Sequence, residues 1–294
     1  MLKGMIFDIK LKGNDKIEKL YAENLPVLFL SLLIDDCITN ATDYNARGAR
    51  YNTSYIQGVG LGSIADILTS IKYNVFDEKK VSMTKLLAAL KADFVGYEDL
   101  RFDLIYNTPK YGNDDDDENA VKVFEIFFDS IDGKKTPLGA TYRINMLPTT
   151  SHVYFGSVIG TTADGRKVGV PLSEGISPVQ GADSKGPTAV MKSAAKFDHT
   201  KTGGTLLNQK FTPAFFENEE SISKLGKLIR GYFAMDGHHI HFNVVTAETM
   251  KKAQANPEQY RDLIVRVAGY SDYFNDLGIE LQNEIIKRTE QDSF

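Results

Sequence analysis

The chain has 294 residues, of which 42% are hydrophobic and 25% charged, and its formal net charge is −5. That is the balance of a globular protein, and without a basic stripe it argues against nucleic acid or an anionic membrane as a partner. The longest apolar run, Leu25 to Ile34, falls far short of the roughly 20 residues that span a bilayer.

The N-terminal residues lack the charged-then-apolar profile of a signal peptide. The single cysteine, Cys37, excludes an internal disulfide and a cysteine-based zinc or iron–sulfur framework, so a cytoplasmic location is the expectation. Met5 to Lys12 alternates apolar and polar residues as a short strand does, and Gly13-Asn14-Asp15 reads as a helix start capped by Asn14 or Asp15. Leu25 to Asn40 carries Phe29, Leu32, Leu33 and Cys37 at helical spacing, which predicts a helix packed on a core. The run Gly58-Val59-Gly60-Leu61-Gly62 lacks the pattern and the preceding strand of a nucleotide loop and predicts close backbone packing instead. Ser63 to Asn74 predicts a helix with Ile64, Ile67, Leu68 and Ile71 on one face, and Ser82 caps another that runs to Leu90. The acids of Asn113 to Glu118 do not alternate with spacers as calcium ligands do. They read as a solvated entrance to a helix from Asn119 to Asp132, where negative charge is favourable.

Tyr142 to Leu147 alternates as a strand, Pro148-Thr149-Thr150 follows as a loop, and Val153 to Ile159 is a second short apolar run. Ala163-Asp164-Gly165-Arg166 is a turn, and Ser173 to Gly186 is polar and glycine-rich, a long ordered loop. Pro187 to Ala195 predicts a helix and Thr205 to Phe211 a strand. Ser221 to Met235 predicts an amphipathic helix with Ile222, Leu225, Leu228, Ile229 and Tyr232 inward. His239 to Val245 reads as a strand, Ala247 to Ala255 as a helix stopped by Pro257, and Ile279 to Thr289 as a closing helix. In a strand, neighbours point to opposite faces, so of His238, His239 and His241 only the last two share a side, and no third metal ligand accompanies them. His152 and His199 have no acid nearby in sequence and read as structural histidines. Strands alternating with helices at this pitch predict an α/β layer of parallel strands, with no repeat or linker to mark a boundary.

Leu263 to Phe274 organises the rest. The apolar run Leu263-Ile264-Val265-Arg266-Val267-Ala268 breaks at Gly269 and continues Tyr270-Ser271-Asp272-Tyr273-Phe274. One reading is a strand-to-turn corner whose glycine takes a backbone angle closed to other residues. The other is chemical: a residue without a side chain can lose its α-hydrogen and leave a planar radical, delocalised over the flanking amide nitrogen and carbonyl. The words Arg266-Val267-Ala268-Gly269-Tyr270-Ser271 and Arg288-Thr289-Glu290-Gln291 resemble the glycyl radical signature of the pyruvate formate-lyase superfamily. The similarity extends through Gly48 to Asn52, Tyr55 to Gly60, Ile71 to Phe76, Met146 to Thr150, Ser173 to Pro178, Gly203 to Gln209 and Met235 to His239, in family order.

The resemblance implies the C-terminal part of a ten-stranded α/β barrel of the glycyl radical enzyme type, residues 1–294, with a buried glycyl radical loop and closing helix over 263–294. It implies a glycyl radical lyase or dehydratase component whose radical is stored on Gly269, supported by Arg266, Val267, Ala268, Tyr270, Ser271 and Asp272. Tyr270, Tyr273 and Phe274 are expected to shield it, with Arg266 and Asp272 as polar pins. No cofactor is bound; a separate iron–sulfur activating enzyme using S-adenosylmethionine installs the radical. The implied parent reaction removes water from trans-4-hydroxy-L-proline to give pyrroline-5-carboxylate, with Thr149 or Thr150 approaching the substrate. The superfamily's thiyl cysteine lies in an upstream Cys-x-Glu loop, which this chain lacks, and Cys37 sits in a helical, structural context. The chain alone is therefore expected to be inactive, as a truncation, a split-enzyme piece or a radical subunit that docks on an N-terminal partner chain bearing that cysteine. Half a barrel is also expected to associate, with itself or with a partner. Two alternatives stay open: a non-catalytic interaction module, and a lyase of the same superfamily acting on a diol, choline or a sulfonate. Where relatives carry glutamine before Phe242-Asn243 this chain has His241, which implies a changed contact near the radical loop.

Overall fold

The structure, a computed structural model, describes residues 2–114 and 117–291. The chain forms two compact units, residues 1–57 with 125–145, and residues 58–124 with 146–294.

In the first unit, α1 (Leu2–Asn24) is continuous through the residues expected to form a strand, and Gly13 lies in its interior. Leu11 is buried, and one turn on Asp15 accepts a 2.7 Å hydrogen bond from the Tyr142 hydroxyl while Asn14 donates to that hydroxyl at 3.2 Å. Residues 11, 14 and 15 share one helix face, so the working period is 3.6 and the two-residue alternation is coincidental. Two short helices, α2 (Leu28–Leu32) and α3 (Asp35–Thr39), replace the single core helix expected over 25–40. Cys37 is buried, but Phe29, Leu32 and Leu33 face outward. Ser31 is responsible. Its hydroxyl donates to Asp43 Oδ2 at 2.7 Å and accepts from the Tyr44 amide at 2.9 Å, so the polar side of α2 is tied inward and its leucines turn out. Strands β1 (Thr53–Gln57) and β2 (Thr141–Met146) pair in parallel, from Thr53 opposite Thr141 to Gln57 opposite Asn145. Along them Ser54, Ile56, Tyr142 and Ile144 are buried in alternation.

The second unit opens with α4 (Leu61–Ile71), which widens into a π-helical turn over Lys72–Asp77. Gly62 is there for space: a Cβ would lie 2.8 Å from the Ser177 carbonyl oxygen, which is the close packing expected of this glycine run. The inward face of α4 differs from expectation. Ile67 and Ile71 pack on a core, but Ile64 and Leu68 are over a third exposed, while Ser63, Asp66, Ser70 and Asn74 are buried. Polar partners select that face. The Ser173 hydroxyl accepts from the Ser63 amide, Asp66 accepts from the Tyr111 amide at 2.8 Å, Ser70 donates to the Ala163 carbonyl and Asn74 donates to Thr108. Burial pushes the Asp66 carboxyl up to about 7.

Helix α5 (Met83–Lys91) starts at Ser82, whose hydroxyl accepts from the Lys85 amide as a cap should. No expectation covers α6 (Glu98–Tyr106), whose Leu104 is fully buried. Helix α7 (Glu118–Ile131) begins where the acidic run ends, and Asp115 and Asp116 lie outside the described residues. The rest of that run is less solvated than expected: Asn113 and Asp117 are buried, and Asp117 pairs with Lys196 at 2.6 Å.

The apolar run after Thr150 is α8 (Ser151–Val158). A long ordered segment leads to α9 (Gly186–Ala194), and the strand expected over 205–211 is split into β3 (Thr202–Thr205) and β4 (Asn208–Phe211). The break has a partner: the Ile176 amide takes the Leu206 carbonyl at 2.9 Å, which leaves that residue out of a ladder. In α10 (Glu219–Ala234) Leu225 and Tyr232 are buried and Leu228 and Ile229 half-buried, but Ile222 is 51% exposed, one turn from the helix start. Strand β5 covers only His241–Asn243, and α11 spans Ala247–Ala255 as expected. The hairpin β6 (Ile264–Arg266) and β7 (Ser271–Tyr273), α12 (Ile279–Lys287) and β8 (Glu290–Gln291) complete the unit. Strands β5 and β8 flank β4 in parallel, and all four residues of β4 are buried, as befits the centre of a parallel sheet. No described helix is long and apolar enough to cross a membrane.

Candidate functional site

Gly269 stands at the tip of the β6–β7 hairpin. Ile264 pairs with Tyr273, Val265 with Asp272 and Arg266 with Ser271, and the Val267 amide closes the turn on the Tyr270 carbonyl at 2.9 Å. The turn holds Gly269 at φ +85°, where an L side chain is strained, although a Cβ there would meet nothing within 4 Å. The base of the hairpin is buried: Val265, Val267, Ala268 and Phe274 pack with Leu206, Met250, Ala253 and Ile285. Its tip is not. Gly269 and Ser271 are exposed, and Tyr270 and Tyr273 are 40% and 47% exposed. The expectation of a buried loop thus holds for its base alone, and of the three expected shielding aromatics only Phe274 is inside this chain. Tyr273 faces outward with Ser271, two residues before it on the open face of β7, and Tyr270 lies in the turn itself.

Four side chains fix the hairpin from below. The Asn243 amide bridges the Arg266 backbone, accepting from its N–H at 2.7 Å and donating to its carbonyl at 2.8 Å, in place of a strand partner. The Val267 carbonyl receives Arg288 Nη1 at 3.0 Å and Asn208 Nδ2 at 3.3 Å. The Arg266 guanidinium donates to Ser271 Oγ at 3.1 Å and to His241 Nε2 at 2.9 Å. The guanidinium thus ties β6 to β7 and to His241, and Asp272 accepts from the neighbouring Tyr273 amide. Of these supports, Asn208 and Arg288 fall in words already singled out in the sequence. Asn243 and its amide-to-backbone bridge carry no sequence signal, because nothing local pairs residue 243 with residue 266.

An arginine only donates, so His241 Nε2 must accept and the ring is neutral, with its proton on Nδ1. Burial, then His239 and Arg266 beside it, push His241 down to about 4. His239 and His241 share a side as expected, their rings 4.0 Å apart edge to face. Among the described residues no group of three or more histidines, cysteines or carboxylates is placed to hold a metal. The His241 proton sets a pH response. Unfolded histidine binds its proton near 6.5 and folded His241 only near 4, so between those values the unfolded state holds more protons and stability falls as pH falls. His241→Gln keeps an acceptor for Arg266 and removes the titration. Urea midpoints at pH 7.5 and pH 5 should show a smaller acid loss in the variant than in the wild type, and equal losses contradict the assignment.

Beneath the clamp lies a buried ionic cluster. Arg288 meets Glu284 through Nη2 at 2.8 Å and Nε at 3.1 Å, and Gln180 donates to the same carboxylate at 3.0 Å. Burial alone would raise Glu284; Arg288 and His152 outweigh it and hold the carboxyl well below the usual range. His152, expected to lack an acid, has its Nε2 at 3.5 Å from Glu284 Oε1, an approach the fold makes across 132 positions of sequence (284 − 152). Burial raises Glu174, whose Oε2 has no hydrogen-bond partner among the described residues. His199 is satisfied by Thr205 at 2.9 Å and the Ala194 carbonyl at 3.0 Å, a structural histidine as expected.

Thr149 lies three residues past β2 at φ +51°, exposed, its hydroxyl donating to the Pro148 carbonyl at 2.7 Å. Thr150 precedes α8 and makes no capping bond to it. The Cys37 thiol is buried in α3, and burial with Asp43 and Asp36 pushes it up, away from thiolate.

The family described as Pyruvate formate lyase-like matches residues 4–156, and the one described as Glycine radical matches residues 172–275. Trans-4-hydroxy-L-proline dehydratase of Clostridioides difficile is 54% identical over 97% of this chain and 36% of its own length. Isethionate sulfite-lyase of Desulfovibrio desulfuricans is 42% identical over 94% of this chain and 34% of its own. The crystal structure of the Clostridioides difficile hydroxyproline dehydratase with trans-4-hydroxy-L-proline bound superposes with a TM-score of 0.93 at 53% identity, covering 98% of this chain and 37% of that one. The B12-independent glycerol dehydratase of Clostridium butyricum, in its glycerol-bound form, gives 0.93 at 40% identity, covering 99% and 37%. The chain thus spans about a third of the length of the relatives it matches.

Proposed function

From a chain that belongs to the pyruvate formate lyase-like, glycine radical family, we propose the radical-storing part of a glycyl radical dehydratase, with the unpaired electron on the α-carbon of Gly269. The observation that carries this is the hairpin. A glycine in the left-handed region, at the tip of a turn whose base is anchored by Asn243, Asn208 and Arg288, presents its α-carbon without a side chain and in a fixed place. Arg266, Val267 and Ala268 support it from the buried side, and Tyr270, Ser271 and Asp272 form the outer wall. A radical S-adenosylmethionine activating enzyme removes the hydrogen atom from Gly269. The glycyl radical then takes a hydrogen atom from a cysteine thiol supplied by the part of the family fold this chain does not span. The thiyl removes a hydrogen atom from the substrate, the hydroxyl leaves with a proton as water, and the product radical retrieves the hydrogen atom from the thiol.

The substrate assigned is trans-4-hydroxy-L-proline, with pyrroline-5-carboxylate as product. The 54% identity to the hydroxyproline enzyme, against 42% to the isethionate enzyme and 38% to the sulfopropanediol dehydratase of Klebsiella oxytoca, favours it. Thr149 and Thr150, at the end of β2, are assigned to the substrate side. Cys37 sits in a structural helix and not in a Cys-x-Glu loop, so the thiyl is assigned to the remainder of the enzyme, which turnover requires. The open hairpin tip supports the same view, since a radical exposed to water and oxygen does not persist. Electron paramagnetic resonance after anaerobic treatment with an activating enzyme tests the reading. A doublet from the single remaining α-hydrogen of Gly269 is expected, and its absence refutes the assignment.

A further inference from the structure

Asn208 and Arg288, which hold the Val267 carbonyl, also wall a small cavity together with Glu174, Asp183, Lys210 and Glu284. Its volume is about 20 Å³, room for one guest of water's size. Two oxygens of the wall, Glu174 Oε2 and Asn208 Oδ1, have no hydrogen-bond partner among the described residues. Their residues are only 2% and 6% exposed. Ser177 brings the two together: its hydroxyl is hydrogen-bonded to the Glu174 carboxylate and accepts from the Asn208 amide at 3.0 Å. The Asn208 side chain has one orientation, because its nitrogen donates to the Val267 carbonyl at 3.3 Å and a carbonyl only accepts. Its neighbour Gln209 also carries an unpartnered oxygen, but successive strand residues point to opposite faces, so that oxygen is not counted. The donors around the cavity are aimed elsewhere: Arg288 at Glu284 and Val267, Gln180 at Leu172 and Glu284, Lys210 at Ile286.

We propose that this cavity binds a monovalent cation, with Glu174 Oε2 and Asn208 Oδ1 among its ligands. Charge argues for a cation over a water. The wall carries three carboxylates, on Glu174, Asp183 and Glu284, against the two cations Lys210 and Arg288, which leaves one negative charge in surplus. His152 approaches Glu284 without walling the cavity. Asp183 already accepts from Thr289 and Gln291, and Glu284 from Arg288, so the surplus sits on Glu174. A buried charge without a partner is costly. A water would donate to both oxygens and leave that charge uncancelled; a monovalent cation cancels it, and a divalent one overshoots. The consequence reaches the hairpin. A cation on Asn208 Oδ1 polarises the amide and strengthens its donation to the Val267 carbonyl, two residues before Gly269. The proposal goes beyond the radical reading and does not depend on it.

The whole chain, dialysed into choline chloride, supplies the test, choline being too large for the space. As potassium chloride replaces choline chloride at constant ionic strength, the unfolding equilibrium constant should fall about tenfold by about 100 mM, as for a site half-filled near about 10 mM. Amide exchange from Val265 to Tyr270 should slow in step. Glu174→Gln keeps the shape and removes the charge. It should unfold less readily than wild type in choline chloride, and potassium should change its unfolding constant less than about twofold. Crystals of wild type grown with rubidium chloride should show an anomalous peak between Glu174 Oε2 and Asn208 Oδ1, a readout that stands even where the variant does not fold. If a water fills the place, or a proton neutralises Glu174, choline and potassium give wild type the same stability and no rubidium peak forms. That result overturns the proposal, as does an undiminished potassium response in Glu174→Gln. A rubidium peak in a protein that yields no radical doublet would sink the function and leave the cation site standing.

Discussion

Gly269→Ala, activated anaerobically alongside wild type, should give no radical doublet while remaining folded. Two separate quantities decide this. For the fold, the added methyl meets nothing within 4 Å, so the cost is backbone strain alone. Alanine at φ +85° is penalised by about 1–2 kcal/mol, partly offset by about 0.4–1 kcal/mol from the lower entropy of the unfolded chain. The net loss is about 1 kcal/mol, too small to unfold the protein. For the radical, the methyl must lie in the plane of the trigonal carbon, against the flanking carbonyl, and it blocks approach to the hydrogen to be removed. The radical is therefore lost in full while stability barely moves. Parallel thermal unfolding keeps the two apart, and an undiminished doublet from a folded Gly269→Ala protein would place the radical elsewhere.

That glycine could be picked out because its neighbours in sequence are its neighbours in space: a strand, a turn and a second strand are all within Leu263 to Phe274. The same locality made α5 and α11 legible, the first through its Ser82 cap and the second through the stop at Pro257. What escaped was set by distant partners. Helix α4 turned Asp66 and Asn74 inward and Ile64 and Leu68 outward because the Tyr111 amide and Thr108 wait on the inner side, about forty positions away by the register of their hydrogen bonds. Periodicity counts apolar residues and is blind to such polar partners. Helix α2 failed for the same reason, with Asp43 deciding which side faced in. The polar clamp under the hairpin is the extreme instance. Asn243, Asn208 and Arg288 converge on two consecutive carbonyls from three elements, and no single stretch of sequence contains more than one of them.

Arg288→Met should be the most destabilising single change around the site. The arginine is 8% and Glu284 0% exposed in their side chains, and the two are joined by paired hydrogen bonds. Removing the guanidinium leaves a buried carboxylate with Gln180 and the 3.5 Å approach of His152 as its company. Breaking a buried pair from one side costs about 3–5 kcal/mol, which urea unfolding at pH 7.5 would register as a large drop in midpoint. The pH dependence separates a lost charge from lost packing. In wild type the Glu284 carboxyl is held below its ordinary value by Arg288 and His152 against the opposing effect of burial. Its stabilising contribution is therefore present above the ordinary glutamate range and lost as pH falls toward the folded value. Without Arg288, burial dominates and the folded carboxyl titrates above its ordinary value, so the variant regains stability on acidification as wild type begins to lose it. The gap between the two proteins should narrow steadily below pH 5. Glu284→Gln placed on top of Arg288→Met should recover most of the loss at neutral pH, because the uncompensated charge is gone. If the double variant is as unstable as the single one, the pair matters through shape rather than charge. The Val267 carbonyl gives the functional readout: it would keep Asn208 and lose its charged donor, so amide exchange through Val265 to Tyr270 should quicken in the single and double variants alike. That result would tie the buried ion pair to the placement of Gly269, and unchanged exchange would leave it a matter of stability alone.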